Sequence, residues 1–161
     1  RFSKGKPWNY DIENPGYNYR LDEIRASLGI NQMKRIKKMN LLRKKAANYY
    51  TEQLGNVKGA VVPDKSVGAE HVHHLYVIRI TKEYSITRDM LFHKLLKRGI
   101  RTSVHYKPLH MFTIFKKMAK VSGNLSNSKD AYSQILSLPI YPSISKKQQD
   151  LVIHHIEKYE G

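Results

Sequence analysis

The fold class is predicted by residues 75–99, which read LYVIRITKEYSITRDMLFHKLLKRG. The β-branched and aromatic residues at 75–80 predict a strand. Thr87 then stands at an N-cap position, apolar residues recur every three or four positions after it, and Gly99 occupies the place of a helix-terminating glycine. A strand that leads into a helix, in a chain of 161 residues, predicts an α+β fold in which helices pack on one small antiparallel or mixed sheet.

Two helices are predicted before that strand. The first begins near Leu21, with Asp22 and Glu23 in its first turn, where negative charge stabilises the helix dipole. We expect Gly29 to break or kink this helix. A longer helix is predicted at 31–54, because apolar residues recur along it every three or four positions. The apolar stripe consists of Ile36, Met39, Leu42, Ala46, Tyr49 and Tyr50, and the opposite face carries Lys34, Lys37, Lys38, Lys44 and Lys45.

Shorter elements are predicted around this framework. Residues 1–16 contain glycine and proline breakers, so we expect a loop, and its aromatic residues indicate that it packs against another part of the protein. Ser145 and Gln148 have the spacing of a capping box at the start of a terminal helix. The other predicted elements are strands at 57–62 and 100–106 and helices at 111–120, 131–136 and 146–159.

Composition narrows the class of protein. Lysine and arginine number 29 against 13 acidic residues, a formal net charge of +16. Such a charge attracts polyanions, among them nucleic acid, anionic membranes and phosphate-bearing metabolites, although a solvated surface without a dedicated partner explains it equally well. No apolar run approaches the roughly 20 residues of a membrane span, so we expect no membrane association. The absence of cysteine excludes disulfides and thiol nucleophiles and fits a cytoplasmic protein.

Two segments carry side chains suited to chemistry. Three histidines at positions 71, 73 and 74 could chelate a metal, but no cluster of acids or cysteines completes a site, so we expect them only to lead into the strand. His105, Tyr106 and Lys107 stand at the end of the predicted strand 100–106 and precede Pro108. A rigid exit from a strand is a common place for site residues, and these side chains offer proton transfer, a hydroxyl and a cation. A solvated loop remains the alternative.

Four segments of the chain, in order, resemble one family. They are residues 15–29 (PGYNYRLDEIRASLG), 74–78 (HLYVI), 102–110 (TSVHYKPLH) and 136–142 (LSLPIYP). Together they resemble the C-terminal portion of the pyridoxal-phosphate-dependent nucleotide-sugar aminotransferases, the DegT/DnrJ/EryC1/StrS family of fold type I. The first segment, in front of an amphipathic helix, is the most specific of the four.

The resemblance implies a fold, a cofactor and partners. Residues 1–30 would be the end of a large cofactor-binding domain with an interface loop, residues 31–55 a connecting helix, and residues 56–161 a small α+β domain. The family is homodimeric, uses pyridoxal phosphate, and transfers an amino group, usually from glutamate, to a keto-sugar linked to a nucleoside diphosphate. The resemblance places Asn18 near the phosphate of the cofactor held by the other subunit, and His105 and Tyr106 on the substrate side.

The resemblance also leaves parts of the family's site unassigned. None of the 161 residues matches the family's Schiff-base lysine, so we expect no catalytic residue of that kind here, and we expect this chain alone to be inactive. Two other hypotheses remain open: a catalytically inactive module that binds a nucleotide-sugar or a full-length partner, and a small basic nucleic-acid-binding protein. Only the net charge favours the last, so nucleic acid is the least expected partner.

Overall fold

The α+β class is confirmed by a computed structural model that describes residues 2–3, 6–12, 16–64 and 70–160. The elements in chain order are β1 (Phe2–Ser3), β2 (Lys6–Tyr10), α1 (Glu23–Met33), α2 (Ile36–Leu54), β3 (Ala60–Val61), β4 (Tyr76–Ile80), α3 (Arg88–Lys97), a 3-10 turn (Leu109–Met111), α4 (Thr113–Met118), α5 (Ser126–Gln134), β5 (Ile135–Leu138) and α6 (Lys146–Glu157). Within the described residues, no helix combines the length and the apolar character that crossing a bilayer requires.

The sheet has three antiparallel strands in the order β3-β4-β5. Its central strand, β4, buries alternate residues, Tyr76, Ile78 and Ile80. Side chains on a strand point alternately to opposite faces, so this alternation marks the face that the helices cover. The strand predicted at 75–80 is therefore confirmed.

The core lies between this face of the sheet and the helices. The ring of Tyr50 on α2 lies 5.2 Å from the ring of Tyr76, and both side chains are fully buried. The buried amide of Gln149 on α6 donates to the carbonyl of Ala46 on α2 at 2.9 Å. This hydrogen bond satisfies a polar group that would otherwise destabilise the core, and it fixes α6 against α2.

Three predicted helix ends are confirmed. The Thr87 side chain accepts a hydrogen bond from the backbone N–H of Met90, and Gly99 has a φ of +76°. α6 begins with a complete capping box between Ser145 and Gln148. These short-range signals are correct because a cap depends only on residues a few positions apart.

The boundary between the first two helices lies later than predicted. α1 continues through Gly29, and the chain turns at Lys34 and Arg35, where the Arg35 N–H donates to the carbonyl of Gln32 at 3.0 Å. The predicted break at Gly29 is wrong, because glycine costs a helix only about 1 kcal/mol and does not interrupt its hydrogen bonds. The predicted apolar stripe on α2 is confirmed, and the lysines predicted to lie opposite it, at 34, 37, 38, 44 and 45, are exposed, although Lys34 lies in the turn before α2.

Three further predictions need correction. The predicted loop at 1–16 contains a hairpin, because β1 and β2 pair at Phe2 and Tyr10, while residues 1, 4–5 and 13–15 lie outside the described residues. The predicted strand at 100–106 is irregular and makes one bridge, from Ser103 to Ser137. The predicted helix at 131–136 ends at Gln134, since the next residues form β5. The last two errors concern pairing with a strand far away in the chain, which local pattern does not reveal.

A close approach of the backbone occurs at Gly59, just before β3. Its φ is +76°, its carbonyl accepts from the Thr81 N–H at 2.8 Å, and an added Cβ would overlap the backbone nitrogen of Tyr84 and lie 2.6 Å from the carbonyl carbon of Glu83. Both the left-handed conformation and the lack of space therefore require glycine here.

We expect Gly59→Ala to lower the free energy of unfolding by several kcal/mol, since the backbone around Tyr84 must move. Gly99→Ala is the matched control: Gly99 has the same φ of +76° but no heavy atom within 4 Å of an added Cβ. It should cost only the roughly 1–2 kcal/mol of the left-handed conformation. Urea unfolding followed by circular dichroism measures both losses, and equal losses would show that the close approach at Gly59 is unimportant.

Candidate active site

The segment that carries His105 is held against the edge of β5. The backbone N–H of Ser103 donates to the carbonyl of Ser137 at 3.1 Å, and the N–H of Ser137 donates back to the carbonyl of Ser103 at 2.8 Å. Val104, the next residue, is buried. The backbone just before His105 is therefore fixed to the sheet, although the segment is not a strand.

His105 is half-buried and hydrogen-bonded. Its Nδ1 lies 2.9 Å from the Oγ of Ser137. Burial, and then the charge of the neighbouring His74, lower the pKa of His105 from its ordinary value. The lowered pKa favours the neutral imidazole, whose Nδ1 is bonded to Ser137.

Tyr106 borders a cavity beside the N-terminal hairpin. Its ring meets the ring of His105 edge-on, with the centroids 4.7 Å apart, and 60% of the residue is exposed. The cavity has a volume of about 530 Å³ and is lined by Tyr106 together with Tyr10, Phe112 and Tyr132 among others. Its size suits a small organic group, and its aromatic walls suit a ring or the face of a sugar.

Lys107 has a structural role. Its Nζ donates to the carbonyl of Tyr10 at 3.3 Å and lies 4.9 Å from the ring centroid of Phe112. The cation is therefore already engaged with the hairpin and with an aromatic face. Of the three neighbouring side chains predicted as site candidates, His105 and Tyr106 remain available for a ligand.

The hairpin is anchored by residues that the sequence reading missed. The carboxylate of Asp11 accepts hydrogen bonds from the backbone N–H of Thr113, at 2.9 Å, and from the Thr113 hydroxyl. These bonds lower the pKa of Asp11 to about 2. The Ile114 N–H also donates to the carbonyl of Ile12 at 3.1 Å. No sequence signal joins residues about 100 positions apart.

A buried arginine holds the hairpin from the other side. The guanidinium carbon of Arg88 lies 5.5 Å from the ring centroid of Trp8 and 5.6 Å from that of Tyr132. The same side chain donates to the carbonyl of Ile135 at 2.9 Å and pairs with Asp89 at 2.8 Å. Arg88 thereby joins β2, α3, α5 and β5. Its charge is compensated by the two aromatic rings, the carbonyl and the carboxylate.

Asn18 lies in the segment that precedes α1. It belongs to an exposed stretch between residues 16 and 22 that ends where the side chain of Asp22 caps α1. No hydrogen bond or ring contact among the described residues joins Asn18 to His105 or Tyr106. α1 itself has no buried residue, and Ile24 is 78% exposed. The amide of Asn18 is therefore free to meet a ligand or another polypeptide surface.

The histidines at 71, 73 and 74 lie just before β4 and make local contacts. The backbone N–H of His73 donates to Nδ1 of His71 at 2.9 Å, and the Glu70 carboxylate pairs with Lys44 at 2.9 Å. In the part of the chain that the structure describes, no group of three or more His, Cys, Asp or Glu residues could hold a metal ion. Their predicted role as the entry to β4 stays a prediction.

This fold is shared with aminotransferases of known structure. A DegT DnrJ EryC1 StrS aminotransferase from Brucella abortus superposes with a TM-score of 0.77 and 31% identity, over 95% of this chain and 39% of that chain. DesV from S. venezuelae, solved in complex with a ketimine intermediate, superposes with a TM-score of 0.79 and 30% identity, over 94% of this chain and 40% of that chain.

The sequence defines the family more closely. The chain belongs to the DegT/DnrJ/EryC1/StrS aminotransferase family, whose sequence model matches residues 2–157. It is 32% identical over 150 residues to the UDP-4-amino-4,6-dideoxy-N-acetyl-beta-L-altrosamine transaminase of Campylobacter jejuni, a match that covers 92% of this chain and 39% of that protein. The chain thus spans about two fifths of the length of this relative. The resemblance found in the sequence is confirmed at the level of the family.

The electrostatic link between His74 and His105 can be tested by titration. Since the charge of His74 lowers the pKa of His105, His74→Gln should raise that pKa towards its ordinary value. The ring resonances of His105, followed by NMR from acidic to neutral pH, report the change. His71→Gln is the matched control, because His71 does not contribute to the lowering. Equal pKa values of His105 in the His74→Gln variant and the unchanged protein would contradict the link.

Proposed function

We propose that this chain is the C-terminal part of a pyridoxal-phosphate-dependent aminotransferase that transfers an amino group, with glutamate as donor, to a keto-sugar linked to a nucleoside diphosphate. The observation that carries the proposal is the family match over residues 2–157. The substrate class is supported by the similarity to a transaminase whose name specifies a UDP-linked amino sugar.

The cofactor supplies the electron sink for transamination when it is bound. The residues of this chain fit a supporting role towards it. Asn18 presents an exposed side-chain amide, and amide N–H groups are good donors to a phosphate oxygen. Lys107, which adjoins His105 and Tyr106, is engaged by the carbonyl of Tyr10. Since no lysine of this chain matches the family's Schiff-base lysine, we propose that the cofactor-anchoring lysine lies in another part of the enzyme.

His105 and Tyr106 are proposed to bind the substrate. A neutral, half-buried imidazole and an exposed phenol offer hydrogen bonds to the hydroxyl, carbonyl or phosphate oxygens of a nucleotide-sugar. The cavity of about 530 Å³ beside Tyr106 supports this role, because it has room for one ring of such a ligand. The basic surface, with a net charge of +16, favours the approach of a pyrophosphate.

Asn18 and His105 are proposed to act in two different active sites of a homodimer. The exposed apolar residues of α1 support this arrangement, since Ile24, Leu28 and Met33 are each more than 60% exposed and such surface is usually covered by another domain or subunit. In this proposal residues 1–30 are the end of the large domain, residues 31–55 connect the domains, and residues 56–161 form the small domain. We also propose that the enzyme is cytoplasmic.

The proposal is tested by extending the chain upstream along its reading frame. We expect the 161-residue chain to lose pyridoxal phosphate on dialysis, and the extended protein to retain the cofactor absorbance and to aminate a UDP-keto-sugar in the presence of glutamate. Two other outcomes would contradict it. Binding of the nucleotide-sugar without cofactor would indicate an inactive binding module, and salt-dependent retention of DNA or RNA would indicate a nucleic-acid-binding protein.

The role of Asn18 has its own test in the extended protein. Asn18→Ala should weaken the binding of pyridoxal phosphate by roughly tenfold or more, which corresponds to the loss of one hydrogen bond to a charged group. Asn48 is also an exposed asparagine, but it lies on α2. Asn48→Ala is therefore the matched control and should bind the cofactor normally. Fluorescence titration measures both affinities. If the two variants bind alike, Asn18 does not contact the phosphate.

A further inference from the structure

Ser137 is hydrogen-bonded to the ring of His105. It lies in β5 between Leu136 and Leu138, and it is 4% exposed. Both of its backbone groups bond to Ser103, so the position of its Cβ is determined by the sheet. Its hydroxyl oxygen lies 2.9 Å from Nδ1 of His105. A buried hydroxyl fixed in this way restricts the orientation of the imidazole.

The direction of this hydrogen bond follows from the satisfaction of buried polar groups. A buried hydroxyl needs an acceptor for its proton. Within the described residues, the Oγ of Ser137 has no acceptor other than Nδ1 of His105. The hydroxyl therefore donates to Nδ1, because the opposite direction would leave its proton buried and unbonded. When Nδ1 of a neutral imidazole accepts a hydrogen bond, the proton of the ring lies on Nε2.

The other ring nitrogen is open to a ligand. No hydrogen bond from a described residue reaches Nε2 of His105, and this atom is not one of the buried polar atoms without a partner, which include Nε2 of His110 and Nδ1 of His155. It therefore reaches solvent. The ring is neutral because burial and the adjacent His74 lower its pKa, so Nε2 presents a single N–H and no lone pair.

We propose that Ser137 is a positioning residue that fixes His105 in the Nε2–H form, so that His105 offers its ligand a hydrogen-bond donor and cannot act as a base through Nε2. The ligand group that matches this donor is an acceptor oxygen, such as a phosphate oxygen, a sugar hydroxyl or a carbonyl. The identification of the ligand as a nucleotide-sugar rests on the proposed function, whereas the form of the ring rests only on the contacts of this chain.

The first measurement is the tautomer of His105 in the unaltered protein, without any ligand. Long-range ¹H–¹⁵N correlation near neutral pH distinguishes a protonated ring nitrogen from an unprotonated one, and the His105 signals are assigned by their loss in His105→Gln. We expect a protonated Nε2 and an unprotonated Nδ1. A protonated Nδ1 would overturn the proposal, and a variant is needed only to assign the signals.

The second measurement is the pKa of His105 in Ser137→Ala. An O–H donor to Nδ1 stabilises the neutral ring, so its removal should raise the pKa of His105, by about half a pH unit or more for one ordinary hydrogen bond. Ser103→Ala is the matched control, because it removes a neighbouring hydroxyl and keeps both backbone bonds to Ser137. Ser137→Thr keeps the hydroxyl and should restore the original pKa.

A fall in the pKa of His105 in Ser137→Ala is as informative as a rise. If Nδ1 donated to Ser137, the bond would favour the protonated ring, and Ser137→Ala would lower the pKa of His105. A lowered or unchanged pKa in Ser137→Ala would therefore overturn the proposal. Because neither measurement uses substrate or cofactor, a failure here leaves the proposed transamination intact, and a failure of the transamination assay leaves the form of the ring intact.

Discussion

The antiparallel pairing of β5 with β4 determines the position of most other features of this structure. It places Leu136 and Leu138 opposite Ile78 and Tyr76, and these four side chains are buried together. A register shift of one residue would turn them to the wrong face, so burial specifies the register strongly. The same register fixes Ser137, and through Ser137 it fixes the segment that ends at His105.

The second constraint is the docking of the N-terminal hairpin. Its contacts involve charged side chains in partly buried surroundings. Arg88 lies near two aromatic rings, and the Asp11 carboxylate accepts two hydrogen bonds from Thr113. Charged groups in such places are tolerated only when they are paired or hydrogen-bonded. The hairpin therefore has a defined position, and with Tyr10 it forms one wall of the cavity beside Tyr106.

The proposed active site is divided between two regions with different properties. Around His105 the sheet provides fixed distances and a half-buried environment, which are suited to orienting a ligand. Around Asn18 the chain is exposed and α1 buries nothing. In the enzyme that we propose, the first region is preformed by this chain, and the second gains its environment from another domain or subunit. The contrast is physical: one region has its packing partners within the chain and the other does not.

What the sequence determined by itself was local. Caps at Thr87 and Ser145, the strand at 75–80 and the apolar stripe of α2 were predicted correctly, because each depends on residues within a few positions of one another. The family and the candidate residue Asn18 came from the resemblance, whereas His105 and Tyr106 were also indicated by their residue types at the end of a predicted strand. The roles of these three residues stay predictions. Tertiary structure alone decided that the hairpin forms, that residues 135–138 are a strand and that Ser137 meets His105. The last two features depend on contacts between residues far apart in the chain, whose free energy exists only once the sheet has assembled. The hairpin joins neighbouring residues, but its position depends on distant contacts with Arg88 and Thr113.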